Sequence, residues 1–351
     1  MIFQSDNVSG AAPEILDALA RGMVGTAVSY GADPATARLE AALAEVFETE
    51  DLAVLPIATG SAANALALAL LCPPWGAIYN EAHAHIAVDE CGAPEFYTGG
   101  AKLVGLAGDH GKLAPGDLED ALAASGKGDV HQVQPAALSL TQATECGTVY
   151  TVAEVAALAA VARAHGLGVH MDGARFANAV AATGAAPADL TWRAGVDILS
   201  FGGTKNGCLA AEAVILFGRD PAREWEAGLR RKRAGHLVSK MRVISLQLEA
   251  YLADGLWLDL ARRANARARR LGEGLATLPG GAPIHPVEAN EVFAPLPATV
   301  LAAFDAAGVG WARWDATTAR MVCAFDTTDA DVDHALGVAR AALADTGAAV
   351  S

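Results

Sequence analysis

The chain has 351 residues, enough for a large core and two domains. Its 25 basic against 40 acidic residues leave a net charge of −15, which excludes a general nucleic-acid or anionic-membrane surface, because phosphate contacts need clustered Lys and Arg. No apolar run is long enough to span a bilayer, the start MIFQSDNVSG lacks the marks of a secretory signal, and the five cysteines form no CxxC pair, so reduced thiols in a cytoplasmic protein are expected.

In chain order, PEILDALARGM reads as an amphipathic helix. ATARLEAALAEVFE reads as a second, with Asp33 and Pro34 as its cap and first-turn residue. LAVLPIATGSAANALALALL reads as a strand, a Thr-Gly-Ser turn and a helix. GAIYN, AKLVGLAG, AALSLTQ, LGVHMDGA, DILSFGG and EAVILFG read as strands, with helices such as VAEVAALAAVARAHG between several of them. This alternation predicts an α/β fold: a mainly parallel sheet of the seven-stranded type covered by helices. From Gly235 to Gly280 the chain reads as one long helical region. EANEVFAPLP and ARMVCAFDTT then read as strands flanking the helix ATVLAAFDAAG, and DADVDHALGVARAALADTG reads as the closing helix. The change of pattern predicts a large domain with an N-terminal arm over 1–245 and a smaller C-terminal α+β domain over 246–351.

Chemistry concentrates at predicted strand ends. Asp172 ends the strand in VHMDGARFANA, at the sheet edge where ligands bind in open α/β folds. Arg175, three residues on, is a candidate partner for its charge. Lys205 follows the strand in ILSFGGTKNG. Alone it reads as a solvated loop charge. Beside Asp172 it reads as a partly desolvated amine able to form a Schiff base, with a carboxylate suited to a pyridinium nitrogen. Gly202 and Gly203 then leave room for a flat ring. Thr59-Gly60-Ser61 opens a helix, either as a simple N-cap or as an anion site for a phosphate. In EAHAHIAVDECGAP, His83 and His85 share a face if the segment is strand-like. They read as metal ligands of a hydrolase together with Asp172, with Glu81, Asp89 and Glu90 near, as a polar loop, or as an imidazole stacked on a heteroaromatic ring.

QSDNVSG, YGADP, ATGSAANALAL, AHIAVDECGAP, GKLAPGDLEDAL, VHMDGARFANAV and SFGGTKNG, in this order and spacing, resemble pyridoxal-phosphate enzymes of the aspartate aminotransferase fold (fold type I). More narrowly, they resemble the L-threonine aldolase and β-eliminating lyase family over nearly the whole chain. The resemblance implies pyridoxal 5'-phosphate held by Lys205, with Asp172 on the pyridine nitrogen, His85 stacked on the ring, and Gly60 and Ser61 on the phosphate. Arg175 and Arg320 would hold the substrate carboxylate with Ser5. Tyr30 and the basic run Arg230–Arg233, otherwise a solvated helix face, would work at a subunit interface of a homo-oligomer with dimer-built sites, a tetramer by resemblance. The implied reaction is low-specificity retro-aldol cleavage of L-threonine, L-allo-threonine and related β-hydroxy-α-amino acids to glycine and an aldehyde. A phenylserine-type aldolase, a β-eliminating lyase and a catalytically silent binding protein are the other readings. One stretch departs from the family. Where many members carry a Glu-Asn-Thr-His-Asn-like sequence, this chain has TQATECG, with Thr144 in the place of the histidine. That leaves the base among His85, a water held by His85, and His131.

Overall fold

A computed structural model describes residues 2–348. Met1 and residues 349–351, at the ends of the two expected domains, lie outside the described residues. The strands of the main sheet are β1 (Leu52–Ile57), β2 (Gly76–Glu81), β3 (Lys102–Leu106), β4 (Gln134–Thr141), β5 (Gly168–Gly173), β6 (Ile198–Gly202) and β7 (Glu212–Phe217). They lie in the order β1-β7-β6-β5-β4-β2-β3. Only β7 runs against its neighbours; β2, β3, β4, β5 and β6 pair in parallel. β2, β6 and β7 are buried along their whole length, as expected of strands covered on both faces.

The helices are α1 (Pro13–Gly22), α2 (Pro34–Val46), α3 (Gly60–Leu71), α4 (His85–Val88), α5 (Ala93–Thr98), α6 (Pro115–Ala123), α7 (Val152–Ala164), α8 (Phe176–Thr183), α9 (Pro221–Arg233), α10 (Arg242–Leu252), α11 (Leu256–Ala276), α12 (Ala298–Ala307) and α13 (Asp329–Ala348). Their starts follow local chemistry. Asp33 Oδ1 accepts from the Thr36 amide at 3.0 Å, with Pro34 in the first turn of α2. Thr151 and Glu154 form a reciprocal capping box on α7. The long helical region expected from Gly235 to Gly280 is broken: α10 and α11 are separated where Asp254 (φ 52°) and Gly255 (φ 73°) turn left-handed. An Asp-Gly pair tolerates that conformation, so the helical pattern on either side does not carry through it.

A second sheet, ordered β8-β10-β9, is antiparallel and comprises β8 (Glu291–Pro295), β9 (Ala312–Arg313) and β10 (Thr318–Val322). The two hydrophobic cores divide along α11, whose Ala261 belongs to the first and Ala268 to the second. The N-terminal arm packs with the second core. Phe3 is fully buried there, and its amide donates to Gly310 O at 2.8 Å while its carbonyl accepts from Val322 N at 2.8 Å. In the first core Phe47, Phe176, Phe201, Phe217 and Trp257 form a connected aromatic cluster with Phe47–Phe217 centroids 5.3 Å apart. The cluster lies under the loop that follows β6.

Gly202 and Gly203 serve the fold differently from the ring clearance expected. A Cβ on Gly202 would stand 2.6 Å from Ala174 O, and one on Gly203 2.8 Å from Ala211 O. The glycines let two backbone segments approach β6, and neither lines the cavity described below. Replacing Gly202 by Ala therefore overpacks the backbone, at a cost of about 1–3 kcal/mol. Urea unfolding followed by circular dichroism should show a lower midpoint with an unchanged slope.

Candidate active site

The edge at which β1, β2, β4, β5 and β6 all end carries the site. Each of these strands points the same way, because β1 and β6 are both antiparallel to β7. The loop after β1 brings Gly60 and Ser61, that after β2 His85, that after β4 Glu145, the end of β5 Asp172, and the loop after β6 Lys205. They line one cavity of about 440 Å³ together with Asn64, Glu90 and Glu212. A smaller cavity of about 270 Å³ adjoins it, lined by Ser5, Arg175, Trp314 and Arg320, and shares His85, Glu145 and Lys205 with the first.

Asp172 is buried, but Arg175 is not its partner. Asn64 Nδ2 donates to Asp172 Oδ2 at 2.8 Å, and the Ala174 amide donates to Oδ1 at 3.0 Å. Asn64 Nδ2 also donates to Glu90 Oε1 at 2.8 Å, and that oxygen meets His85 Nδ1 at 2.9 Å. His85, Glu90, Asn64 and Asp172 therefore form one chain of hydrogen bonds. Burial raises the Glu90 carboxyl against the pull of His85 and Asn64. The Glu90 bond in turn raises His85 above its ordinary value. Behind Asp172, on the same face of β5, His170 bridges the hydroxyls of Ser139 (2.9 Å) and Ser200 (3.0 Å). Burial depresses it to about 4, so it is a neutral spacer at ordinary pH.

His83 and His85 do not share a face. His85 begins α4, while His83 is exposed and turns back to Glu81 at 3.2 Å. The segment is a turn and a short helix rather than a strand, so the alternation of the two histidines has no geometric consequence. Among the described residues no three His, Cys, Asp or Glu side chains cluster as a metal ligand set.

Lys205 sits in a short helical turn, Thr204–Asn206, pinned from below by Asn206 Nδ2, which donates to Tyr251 Oη (2.7 Å) and Trp257 O (2.8 Å). Its amine bonds to no other described residue. Thr59 Oγ1 caps α3 by accepting from Ala62 N at 3.4 Å, so the first-turn amides of α3 at Gly60 and Ser61 face the cavity as an anion site. A Cβ on Gly60 would meet no atom within 4 Å, which marks open space over this turn. Glu212 lies beyond Lys205, pushed up to about 7 by burial against the pull of Thr204 and Lys205.

The arginines are committed. Arg175 Nε and Nη2 donate to Asp6 at 2.7 and 3.0 Å, and Nη1 lies 3.6 Å from Glu291. Burial opposes its charge, yet Asp6 and Glu291 outweigh that and hold it protonated. Burial works upward on Asp6 too, but Arg175 and Lys205 bring it down to about 2. Arg320 Nη2 and Nε donate to Glu291 Oε1 at 2.6 and 3.0 Å. Ser5 caps the turn that carries Asp6, its Oγ accepting from Asn7 N at 3.1 Å.

Other expected residues lie elsewhere. Tyr30 is half exposed with Lys232 Nζ 4.9 Å above its ring, and neither it nor Arg230–Arg233 on α9 lines either cavity of its own chain. His131 is in an exposed loop with its amide on Asp129 Oδ1 at 2.9 Å, away from both cavities. Thr144 is buried and bonds Thr148 Oγ1 at 2.7 Å; its neighbour Glu145 faces the site instead. Sequence reading missed Asn64 and Glu145, and placed Glu90 only as an acid near a candidate metal site. Asn64 carried a signal, because it stands one helical turn after Gly60 and so shares its face.

An α/β sheet that gathers an unbonded lysine, a held carboxylate and a helix N-terminus at one edge defines a class of enzyme, and the sequence falls within one of its families. Residues 3–298 match the beta-eliminating lyase family, and the chain belongs to it. It is 42% identical, over 344 residues that make up 96% of either chain, to the low specificity L-threonine aldolase of Pseudomonas aeruginosa. It is 40% identical, over 97% of either chain, to that of a Pseudomonas sp. strain. The threonine aldolase of Leishmania major superposes with a TM-score of 0.89 at 28% identity, covering 97% of this chain and 98% of that one. Among the described residues no helix is long and apolar enough to cross a membrane.

The His85–Glu90 contact is open to measurement. A raised folded value means that protonated His85 stabilises the fold fully below its ordinary value of 6.5, and that this contribution fades as pH rises through the folded value. In Glu90→Gln, the His85 ring protons followed by NMR should titrate at lower pH than in the parent; an unchanged titration would break the link.

Proposed function

We propose that the protein is a pyridoxal-phosphate-dependent, low-specificity L-threonine aldolase that cleaves L-threonine, L-allo-threonine and related β-hydroxy-α-amino acids to glycine and an aldehyde. The observation that carries this reading is the unbonded Lys205 amine sharing one cavity with the buried Asp172 carboxylate and the open first turn of α3, in a chain so similar to threonine aldolases.

The residues present fit the cofactor. The amine would be a nucleophile for its aldehyde, Asp172, held by Asn64 and Ala174, would offer a carboxylate to its ring nitrogen, and the first-turn amides at Gly60 and Ser61 would receive its phosphate. His85, held by Glu90, presents its ring to the same cavity. When bound, the cofactor supplies an electron sink conjugated with the substrate Cα. The protein then has three tasks. Arg320 has Nη1 uncommitted and binds the substrate carboxylate, assisted by Ser5 and by Arg175 when its Nη1 turns from Glu291. That grip orients the Cα–Cβ bond toward the sink, an alignment worth up to about 7–11 kcal/mol. The third task is to remove the proton of the β-hydroxyl.

We also place the enzyme in the cytoplasm as a homo-oligomer with dimer-built sites, a tetramer in its full assembly. Tyr30 and Arg230–Arg233 of one chain then serve the partner's cavity. Phe96 and Trp225, 78% and 71% exposed, support a surface made to be covered. We divide the chain into a large domain (1–245) and a small one (246–351), with Leu248 to Ala261 still packing into the first core and Ala268 and later residues, together with Phe3, into the second.

The purified protein should absorb in the visible range, and acetaldehyde should appear from L-threonine in a coupled assay. Lys205→Ala should abolish both. A parent that makes pyruvate from serine but no aldehyde from L-threonine, L-allo-threonine or phenylserine would point to β-elimination instead.

A further inference from the structure

Resting on the aldolase reading, we propose that Glu145 is the catalytic base that takes the β-hydroxyl proton. Three observations carry it. Glu145 lines both cavities, the one with Lys205 and Asp172 and the one with the arginines, so it stands where the reacting end of an amino acid must lie. It is recessed on a short turn whose ends are locked: Thr144 N donates to Thr148 O at 2.9 Å, and Thr148 Oγ1 donates to His110 O at 2.7 Å. Its carboxylate makes no hydrogen bond to any described residue.

The last point separates it from Asp172, Glu90, Asp6 and Glu291, while Asp89, on the smaller cavity and also unbonded among the described residues, is exposed rather than recessed. Asp172 is held by Asn64 and Ala174, and Glu90 by His85 and Asn64. Asp6 is held by Arg175 and Asn290, and Glu291 by Arg320, while Glu212 is buried beyond Lys205, away from the smaller cavity. Asp172, Glu90, Asp6 and Glu291 are each tied to the fold through at least one oxygen, with Glu90 Oε2 and Glu291 Oε2 the buried oxygens among them that carry no hydrogen bond. His85 is held through Nδ1 by Glu90 Oε1 at 2.9 Å, which fixes its ring against the cavity beside Lys205.

The field at Glu145 is mixed. Burial raises its carboxyl, Lys205 and Arg175 pull it down, and Glu291 and Asp172 push it up. His85, Asp89, Arg313 and Arg320 face it across the smaller cavity, and Glu212 across the larger. The net effect is upward, which suits a group that must accept and release a proton near neutral pH.

In the step, the hydroxyl O–H bond breaks and its proton moves to a Glu145 oxygen. The C–O bond becomes a carbonyl as Cα–Cβ breaks, and that bond's electron pair would be taken up by the electron sink the bound cofactor would supply. Glu145 later gives up its proton as Cα takes one up. The substrate is split into glycine and an aldehyde with no oxidant, reductant or further reactant consumed.

The test compares the holoenzyme with Glu145→Gln and Glu145→Asp. With L-threonine, kcat of the Gln variant should fall about 10²-fold or more with KM little changed. The acid limb of the parent's kcat–pH profile should vanish, and the Asp variant should be the more active of the two. Calorimetry with glycine, which has no β-hydroxyl, should give the parent's affinity. A raised folded pKa means stability that is full below about 4.5, the ordinary value, and lost as pH rises through the folded value. The apo Gln variant should thus melt higher than the apo parent at pH 7, with the gain vanishing below pH 4.5. A Gln variant with the parent's kcat, one that loses glycine affinity along with kcat, or one more active than the Asp variant overturns the proposal. A parent inactive on all β-hydroxy-α-amino acids overturns the aldolase reading instead.

Discussion

The structure hangs on the buried contact between Arg175 and Asp6. A guanidinium taken out of water needs full compensation, and removing one partner of such a pair leaves an uncovered charge at a cost of several kcal/mol. Here the compensation comes from far along the chain. Asp6 lies on the N-terminal arm, and Asn290 Nδ2, which donates to Asp6 at 3.0 Å, precedes β8. Glu291 begins that strand and also receives Arg320 from β10. Two acids and two arginines therefore join the arm, the end of the main sheet and the small sheet. Phe3 anchors the arm in the second core from the other side, so the seam between the cores is fixed by charge and apolar burial together. The carboxylate-binding end of the proposed site is built on that seam.

The other constraint is the direction of the strands. Five parallel ends bring their loops to one edge, and each loop supplies one chemically distinct group. No pair of these groups is adjacent in sequence, yet each is held within a residue or a few of a buried strand or helix. Rigid elements place functional groups more closely than free loops do. The pinning extends behind them: Asn206 under Lys205, Asn64 between Asp172 and Glu90, and the Thr144–Thr148 turn under Glu145.

Much of this was legible in the sequence, because strand–turn–helix patterns and strand-end residues are local signals. Lys205, Asp172, His85, Gly60, Ser61, Arg175, Arg320 and Ser5 all reach the paired cavities. What was not legible depends on long-range partners. Arg175 lies three residues from Asp172 but bonds Asp6, which the N-terminal arm brings against it from the far end of the sequence. Gly202 and Gly203 look like space for a ligand, though the close atoms belong to Ala174 and Ala211. His83 and His85 alternate as on a strand, yet a helix begins between them. Glu145 had no signal of its own: a carboxylate in a polar turn is ordinary until Lys205 is seen to share its cavity.

The distribution of hydrogen bonds within the site separates structure from chemistry. Asp172 and Asp6 are bonded on both oxygens and Glu90 and Glu291 on one, and groups held in this way set positions and fields. Lys205 and Glu145 are left free. A buried or recessed polar group without a partner is a loss to the fold, since it gives up water and gains no bond in return. Such a loss persists where a ligand or a proton completes the group. The committed residues, in the proposed reaction, address the carboxylate and the cofactor, and the two free ones address the amine and the hydroxyl. Those are the parts that all β-hydroxy-α-amino acids share. A site whose bonds are spent on shared parts discriminates weakly between substituents at Cβ, where a pocket distinguishes a methylene by only about 1–3 kcal/mol. Low substrate specificity is then a consequence of where the polar groups point, and a narrower enzyme would need a further partner fixed beyond Glu145.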